Sequence, residues 1–303
     1  MDFQNIFDFK IESVQKIEKG FSVDDKYIIN NQYLVRVISK DRVERFKYVY
    51  DVQKLFNEVS LSQKVINFVI GDRISYYVTE YLPGENGLDV ILNFTEEQQY
   101  NFGIEAAFEL TKFHNLYPQP DFNTRENIEK YFTSKVEICR DNNVIELIPE
   151  IEDLIQLVGD NLHCLFDLNS VITHSDYHLF NMIFDGNKFI GVIDFERCRV
   201  SHILTDFRNN SPHNSPASKH FASGFIDGYL NEIFVEDFFL KYNIHDMMMS
   251  IAAIPWVMEY NPTNLDVDIA YIKTLFSSLK DPTKKPSWYV GKYWKTYEYI
   301  LYI

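Results

Sequence analysis

The stretch Met182-Ile183-Phe184-Asp185-Gly186-Asn187-Lys188-Phe189-Ile190-Gly191-Val192 constrains this chain more than any other. Two apolar runs flank Asp185-Gly186, and an aspartate-glycine pair accepts the positive φ of a tight turn, so the segment predicts a β-hairpin. Folding back at that turn carries the residues around Asn181 alongside those around Asp194. Asp176, Asn181 and Asp194, separated along the chain, are therefore expected to share one place.

The remainder sorts into two regions. From Ile17 to about Leu82 the order is strand, strand, helix, strand, strand. Tyr27-Ile28-Ile29 and Tyr33 to Ile38 flank the polar turn Asn30-Asn31-Gln32, and Val49, Val52, Leu55 and Phe56 recur at helical spacing. Strand-like runs follow at Val65 to Ile70 and Tyr76 to Tyr81. Beyond Pro83-Gly84 the pattern turns largely helical. Thr95-Glu96-Glu97-Gln98 is a capping box that opens a helix to near His114, with Phe102, Ala106, Leu110 and Phe113 on one face. Pro149 opens another helical stretch through Val158. The expected fold is α+β and bilobal: a small β-rich N-terminal lobe over residues 1–83 and a larger, mostly helical C-terminal lobe over 84–303.

Composition narrows the partners. With 303 residues, 46% of them hydrophobic, the chain has material for a sizeable core. Its formal net charge of −15 opposes phosphate backbones, and no local basic patch offsets it, so no nucleic-acid partner is expected. Cationic small molecules or basic partners suit such a field better. Cys139, Cys164 and Cys198 are isolated and form no CxxC, which fits a reducing compartment. The N-terminus Met1-Asp2-Phe3 lacks a basic segment leading into an apolar one, and no apolar run reaches the ~20 residues of a membrane span. The expectation is a cytoplasmic protein without membrane contact, a monomer or weak homodimer.

Asp176, Asn181 and Asp194 all carry hard oxygen donors, which suit Mg²⁺. Phosphoryl transfer from a nucleotide uses such a set. One carboxylate orients and deprotonates the acceptor hydroxyl, while an amide and a second carboxylate hold the ion against the phosphates. His174 and His178 flank Asp176 and raise the alternative of a metallohydrolase. That chemistry wants imidazole ligands, and Asn181 with Asp194-Phe195-Glu196 fits phosphotransfer better.

His174-x-Asp176-x-x-x-x-Asn181, the hairpin, and Ile193-Asp194-Phe195-Glu196 resemble the aminoglycoside phosphotransferase and choline kinase group, which shares the protein-kinase fold. The resemblance implies Asp176 as catalytic base, Asn181 and Asp194 as metal ligands, and His174 and Asp206 as braces of the catalytic loop. It extends to the N-terminal lobe. Gly20-Phe21-Ser22 resembles a short phosphate-covering turn in which Ser22 adds a donor. Thr79-Glu80-Tyr81-Leu82-Pro83-Gly84 resembles the hinge that holds adenine, with the Glu80 carbonyl and the Leu82 amide as its contacts. Arg36 stands where the group usually has a lysine and would grip phosphate. For its acidic partner on the following helix, ungapped alignment falls near Val49, with Glu44 two helical turns earlier and Asp51 nearby, and Asp51 is expected to pair with it.

What the resemblance implies is transfer of the γ-phosphate of ATP or GTP, with Mg²⁺, to a hydroxyl of a small cationic acceptor. An aminoglycoside-type antibiotic comes first, and choline or another amino alcohol second. Trp256, Tyr260, Trp288 and Trp294 lie where the group binds its acceptor, and Glu196, Glu259, Asp266 and Asp268 would meet amines. Of these, Glu196, Trp256 and Glu259 are taken as acceptor-binding. Met247-Met248-Met249 reads as core filler. A nucleotide-binding pseudokinase is the non-enzyme alternative, and the intact Asp176, Asn181 and Asp194 speak against it.

Overall fold

A computed structural model describes residues 3–17, 24–116, 124–142, 144–260, 263, 265–278 and 281–291. Strands β1 (Val14–Ile17), β2 (Lys26–Ile29) and β3 (Tyr33–Ser39) lead into helix α1 (Val43–Val59). Strands β4 (Val65–Val69) and β5 (Ile74–Glu80) follow. They form one antiparallel sheet in the order β1-β2-β3-β5-β4. The β2–β3 hairpin turns on Asn30 and Asn31, both left-handed at φ 52° and 54°, a conformation asparagine tolerates better than most residues.

In β3, Arg36 lies between Lys26 on one side and Tyr77 on the other. Because successive strand residues face opposite ways, Val35 and Arg36 point to different sides of the sheet. Val35 joins Ile29, Val78 and Phe3 under the N-terminal segment. The Arg36 face is covered by α1, which buries Phe46, Val49, Val52 and Phe56. Phe56 then reaches Phe113 and Phe195 at ring separations of 3.9 and 4.8 Å, tying α1 to the larger lobe.

After the short strand β6 (Glu85–Asn86) the chain is mostly helical, beginning with α2 (Gly87–Val90) and α3 (Glu96–Leu116). Thr95 and Gln98 cap α3 reciprocally, at 3.0 and 3.2 Å. Helices α4 (Thr124–Asp141), α5 (Val144–Leu147) and α6 (Ile151–Asn161) precede strands β7 (Ser170–Thr173), β8 (Met182–Asp185), β9 (Lys188–Val192) and β10 (Arg199–His202). The larger lobe closes with α7 (Ser215–Ala217), α8 (Lys219–Glu232), α9 (Phe238–Tyr260) and α10 (Leu265–Ser278). Gly103 and Gly224 let α3 and α8 approach closely, since a β-carbon on either would collide with a backbone oxygen of the other helix. Met247 and Met248 are core, and Pro255 sits within α9. Among the described residues no helix is long and apolar enough to cross a membrane.

Candidate active site

The predicted hairpin forms: β8 and β9 pair antiparallel, Met182 lies opposite Val192, and Gly186 takes φ 55° at the turn. Pairing at the base of the hairpin sets the Ile193 amide 2.9 Å from the Asn181 carbonyl, which brings Asp194 next to Asn181. The Asn181 side chain then donates to Asp176, at 2.9 Å to its carbonyl and 3.2 Å to Oδ2. The three residues expected together are together.

Ser175 and Asp194 are both left-handed, at φ 65°, an unfavourable conformation for these side chains unless their surroundings fix it. The surroundings do. Buried Asp206 accepts from the amides of His174 and Ser175, at 3.1 and 2.5 Å. It also meets His114 Nε2 at 3.0 Å. His174 Nδ1 accepts from the Asp176 amide at 3.2 Å, so its Nε2 carries the hydrogen and donates to the Ile193 carbonyl at 3.0 Å. That ring links both left-handed turns, and burial keeps it neutral by lowering its pKa. His174 and Asp206 are thus the side chains that hold the backbone of this loop.

Asp176 has further partners that the sequence did not signal. Asn209 Nδ2 donates to Oδ1 at 3.0 Å, while His178 Nε2 lies 3.4 Å and Arg197 Nε 3.9 Å away. Burial by itself would raise the Asp176 carboxyl, but the hydrogen bond and charge of His178, with Arg197 and Arg208, hold it well below the usual range. It is therefore held as an anion.

Across the cleft, Arg36 is 7% exposed and binds the larger lobe. Its Nη2 meets Asp194 Oδ1 at 3.2 Å and its Nη1 meets Glu196 Oε2 at 2.6 Å, with Asp24 at 3.9 Å. Arg42 bridges Asp24 to the other Glu196 oxygen, and Arg45 donates to the Glu196 and Cys198 carbonyls. The expected pairing with Asp51 is absent. The α1 face that lines the cleft with Arg36 carries Phe46 and Val49, and Asp51, two residues on, is rotated by roughly 200° from Val49. Asp51 is exposed. Glu196 is likewise turned from its expected role at the acceptor toward these arginines. Asp194, which burial would raise, is held low by Arg36 and Lys26.

The cleft is lined by Leu34, Arg36, Val49, Gln63, Thr79 and Asp194, among others. At the expected hinge the Glu80 carbonyl accepts from Gln63 Nε2 at 2.7 Å, so a protein amide already shares the oxygen assigned to adenine. Leu82 is half-buried. Ser22 and Trp294 lie outside the described residues, as does the side chain of Asp268. Trp256 and Glu259 are exposed near the end of α9, where Trp256 leans on Tyr260 at 5.8 Å.

A metal ion fits this arrangement in one way. Among the described residues no three His, Cys, Asp or Glu side chains form a protein-only cage. Asn181 donates through its nitrogen and Asp194 binds Arg36 through one oxygen, which leaves an amide oxygen and a carboxylate oxygen on adjoining residues. Two such donors suit Mg²⁺, whose other ligands are commonly phosphate and water.

A family model, the phosphotransferase enzyme family, matches residues 13–238. The chain is 27% identical over 139 residues to an aminoglycoside 3'-phosphotransferase from Escherichia coli and equally to one from Salmonella typhimurium. Those matches cover 44% of this chain and 50% of the relative, so the chain spans about half the length of these relatives. Among solved structures, an ADP-bound aminoglycoside phosphotransferase APH(2'')-Ib aligns with a TM-score of 0.61 and 21% identity, over 88% of this chain and 93% of that one. A GDP complex of an aminoglycoside 2'-phosphotransferase-IIIa mutant gives 0.72 and 12%, over 93% and 97%. A choline/ethanolamine kinase family protein from Mesorhizobium loti gives 0.62 and 14%, over 91% and 90%. At these identities the structural likeness is one of fold, a kinase-like one.

Proposed function

The chain belongs to the phosphotransferase enzyme family, and from that premise we propose that it moves the γ-phosphate of ATP or GTP to a hydroxyl of a small molecule. The observation that carries this reading is the convergence of Asp176, Asn181 and Asp194 at the base of one hairpin, with Arg36 reaching them from the facing sheet. Asp176 orients the acceptor hydroxyl and takes up its proton. A carboxylate of low pKa serves here because the transition state is loose and the proton leaves late, so positioning counts for more than basicity. Asn181 and Asp194 are the residues that would hold Mg²⁺, which supplies charge neutralisation to the phosphates. Arg36, backed by Arg42 and Glu196, offers the nucleotide a cation fixed by its neighbours rather than a free-swinging one.

Asp176→Ala tests the assignment. Acceptor-dependent release of ADP or GDP should fall by about 10³-fold or more, while the dissociation constant for nucleotide changes little. Full turnover by this variant would reject the role of Asp176.

A further inference from the structure

Around Asp176 and the Asn209 that holds it, the chain gathers arginines. Arg197 stands 3.9 Å from Asp176, Arg199 begins β10, and Arg208 immediately precedes Asn209, which holds Asp176 Oδ1. Arg208 is half-buried, and it feels the charges of Asp176, Arg197 and Arg199, with Tyr131 of α4 beside it. Neither Arg199 nor Arg208 makes a side-chain hydrogen bond or an ion pair with another described residue. The carboxylates of this segment are engaged elsewhere: Asp194 by Arg36, Glu196 by Arg36 and Arg42, and Asp206 by His114 and two backbone amides. Arg197 and Arg208 therefore bear on one carboxylate, with Arg199 near enough to Arg208 for their charges to interact, and that carboxylate is committed to the acceptor hydroxyl. A guanidinium partly withdrawn from water without an anion is costly, and one that meets a carboxylate or phosphate does so through paired, charge-assisted hydrogen bonds.

We propose that the phosphate acceptor is an anion: a hydroxyl compound bearing a carboxylate or phosphate group that docks on Arg199 and Arg208 and so presents its hydroxyl to Asp176. The inference rests on the phosphotransfer reading and narrows it, replacing the cationic acceptor that the net charge suggests. The nucleotide's own phosphates are a second source of anionic oxygens, but Arg36 and Lys26 of the sheet, with Arg42 at the start of α1, already serve their side of the cleft. Arg199 and Arg208 belong to the larger lobe, and Arg208 immediately precedes the Asn209 that holds Asp176.

The test fills the nucleotide site first. The full chain is loaded with Mg²⁺ and a non-hydrolysable ATP analogue, then titrated with sodium sulfate against sodium chloride of equal ionic strength, by calorimetry and thermal shift. Saturable sulfate binding is expected, weakened at least tenfold in the Arg199→Gln/Arg208→Gln variant, with analogue affinity unchanged within twofold. Arg199 is exposed, so Arg199→Gln alone carries the same test where the double variant fails to fold. Absence of saturable sulfate binding, equal binding by the variants, or a parallel loss of analogue affinity overturns the proposal. So does ADP release stimulated by an aminoglycoside at the same rate in wild type and variant. Failure of the wild-type chain to bind the analogue at all refutes instead the phosphotransfer reading itself.

Discussion

Glu196→Gln is the perturbation that bears most directly on how the nucleotide side is built. One carboxylate here receives two arginines, Arg36 on Oε2 at 2.6 Å and Arg42 on Oε1, while α1 offers Arg36 no acid. A hydrogen bond to a charged partner is worth about 1.5–3 kcal/mol. The Arg36 side chain is 9% exposed but that of Glu196 is 31% exposed, so screening places the effect toward the low end. Glutamine keeps one acceptor oxygen and loses the charge. Arg36 then falls back on Asp194, taking up a carboxylate that would otherwise face the metal. Nucleotide affinity in the presence of Mg²⁺ should drop by about 1.5 kcal/mol, roughly tenfold, by isothermal titration with ADP or a non-hydrolysable triphosphate. Asp51→Asn, on the solvent face of α1, should change affinity by less than about 0.5 kcal/mol. Unchanged or tighter binding by Glu196→Gln, or an equal loss from Asp51→Asn, would refute the argument that Glu196 stands in for a helix acid.

Two other perturbations test the loop and the core. Asn209→Ala removes the donor to Asp176 Oδ1 at 3.0 Å and should lower kcat roughly tenfold or more while sparing nucleotide affinity; loss of affinity without loss of kcat would show that Asn209 serves the nucleotide instead. Burial raises the Asp246 carboxyl to about 7, against ~3.9 unfolded, so the folded chain keeps a proton that the unfolded chain has released. Stability therefore falls as pH rises through that window, by up to about 1.4 kcal/mol per unit. Asp246→Asn keeps an acceptor for Tyr271 and should raise Tm relative to wild type at pH 8 with little gain near pH 4.5; a gain independent of pH would point to packing rather than charge.

The elements whose geometry is set locally were legible in the sequence. Asn30-Asn31 and the glycine of Asp185-Gly186 announce hairpins because asparagine and glycine accept positive φ at a tight turn, and Thr95 with Gln98 announces a helix start because each satisfies a free amide. The Asp176, Asn181 and Asp194 set followed from one of those hairpins. Partners set by tertiary packing were not legible. Asn209 reaches Asp176 only because Asp206, three residues earlier, is pinned under the His174-Ser175 amides, and nothing in the spacing says which way the chain leaves that anchor. Arg42 and Arg45, three apart at the start of α1, form one helix face, a signal that could have directed attention to Glu196. Asp51 attracted the pairing by proximity in sequence, whereas helical rotation decides it.

Charge shows the same division between global and local. A net charge of −15 is a property of the whole surface, and at physiological salt its influence decays over about 8 Å. It governs solubility and the long-range approach of a ligand, but not the contacts made once the ligand has arrived. Beside Asp176 those contacts come from Arg197 and Arg208, with Arg199 acting on Arg208, and only Arg197 lies within ion-pairing distance of a described carboxylate. An acceptor seated within a few ångströms of these groups meets them with little intervening solvent, where a unit charge counts for several times its value in bulk water. An acidic protein can therefore hold a cation-lined acceptor site, and under the proposed phosphotransfer the arginines nearest Asp176 outweigh the distant carboxylates in selecting the acceptor.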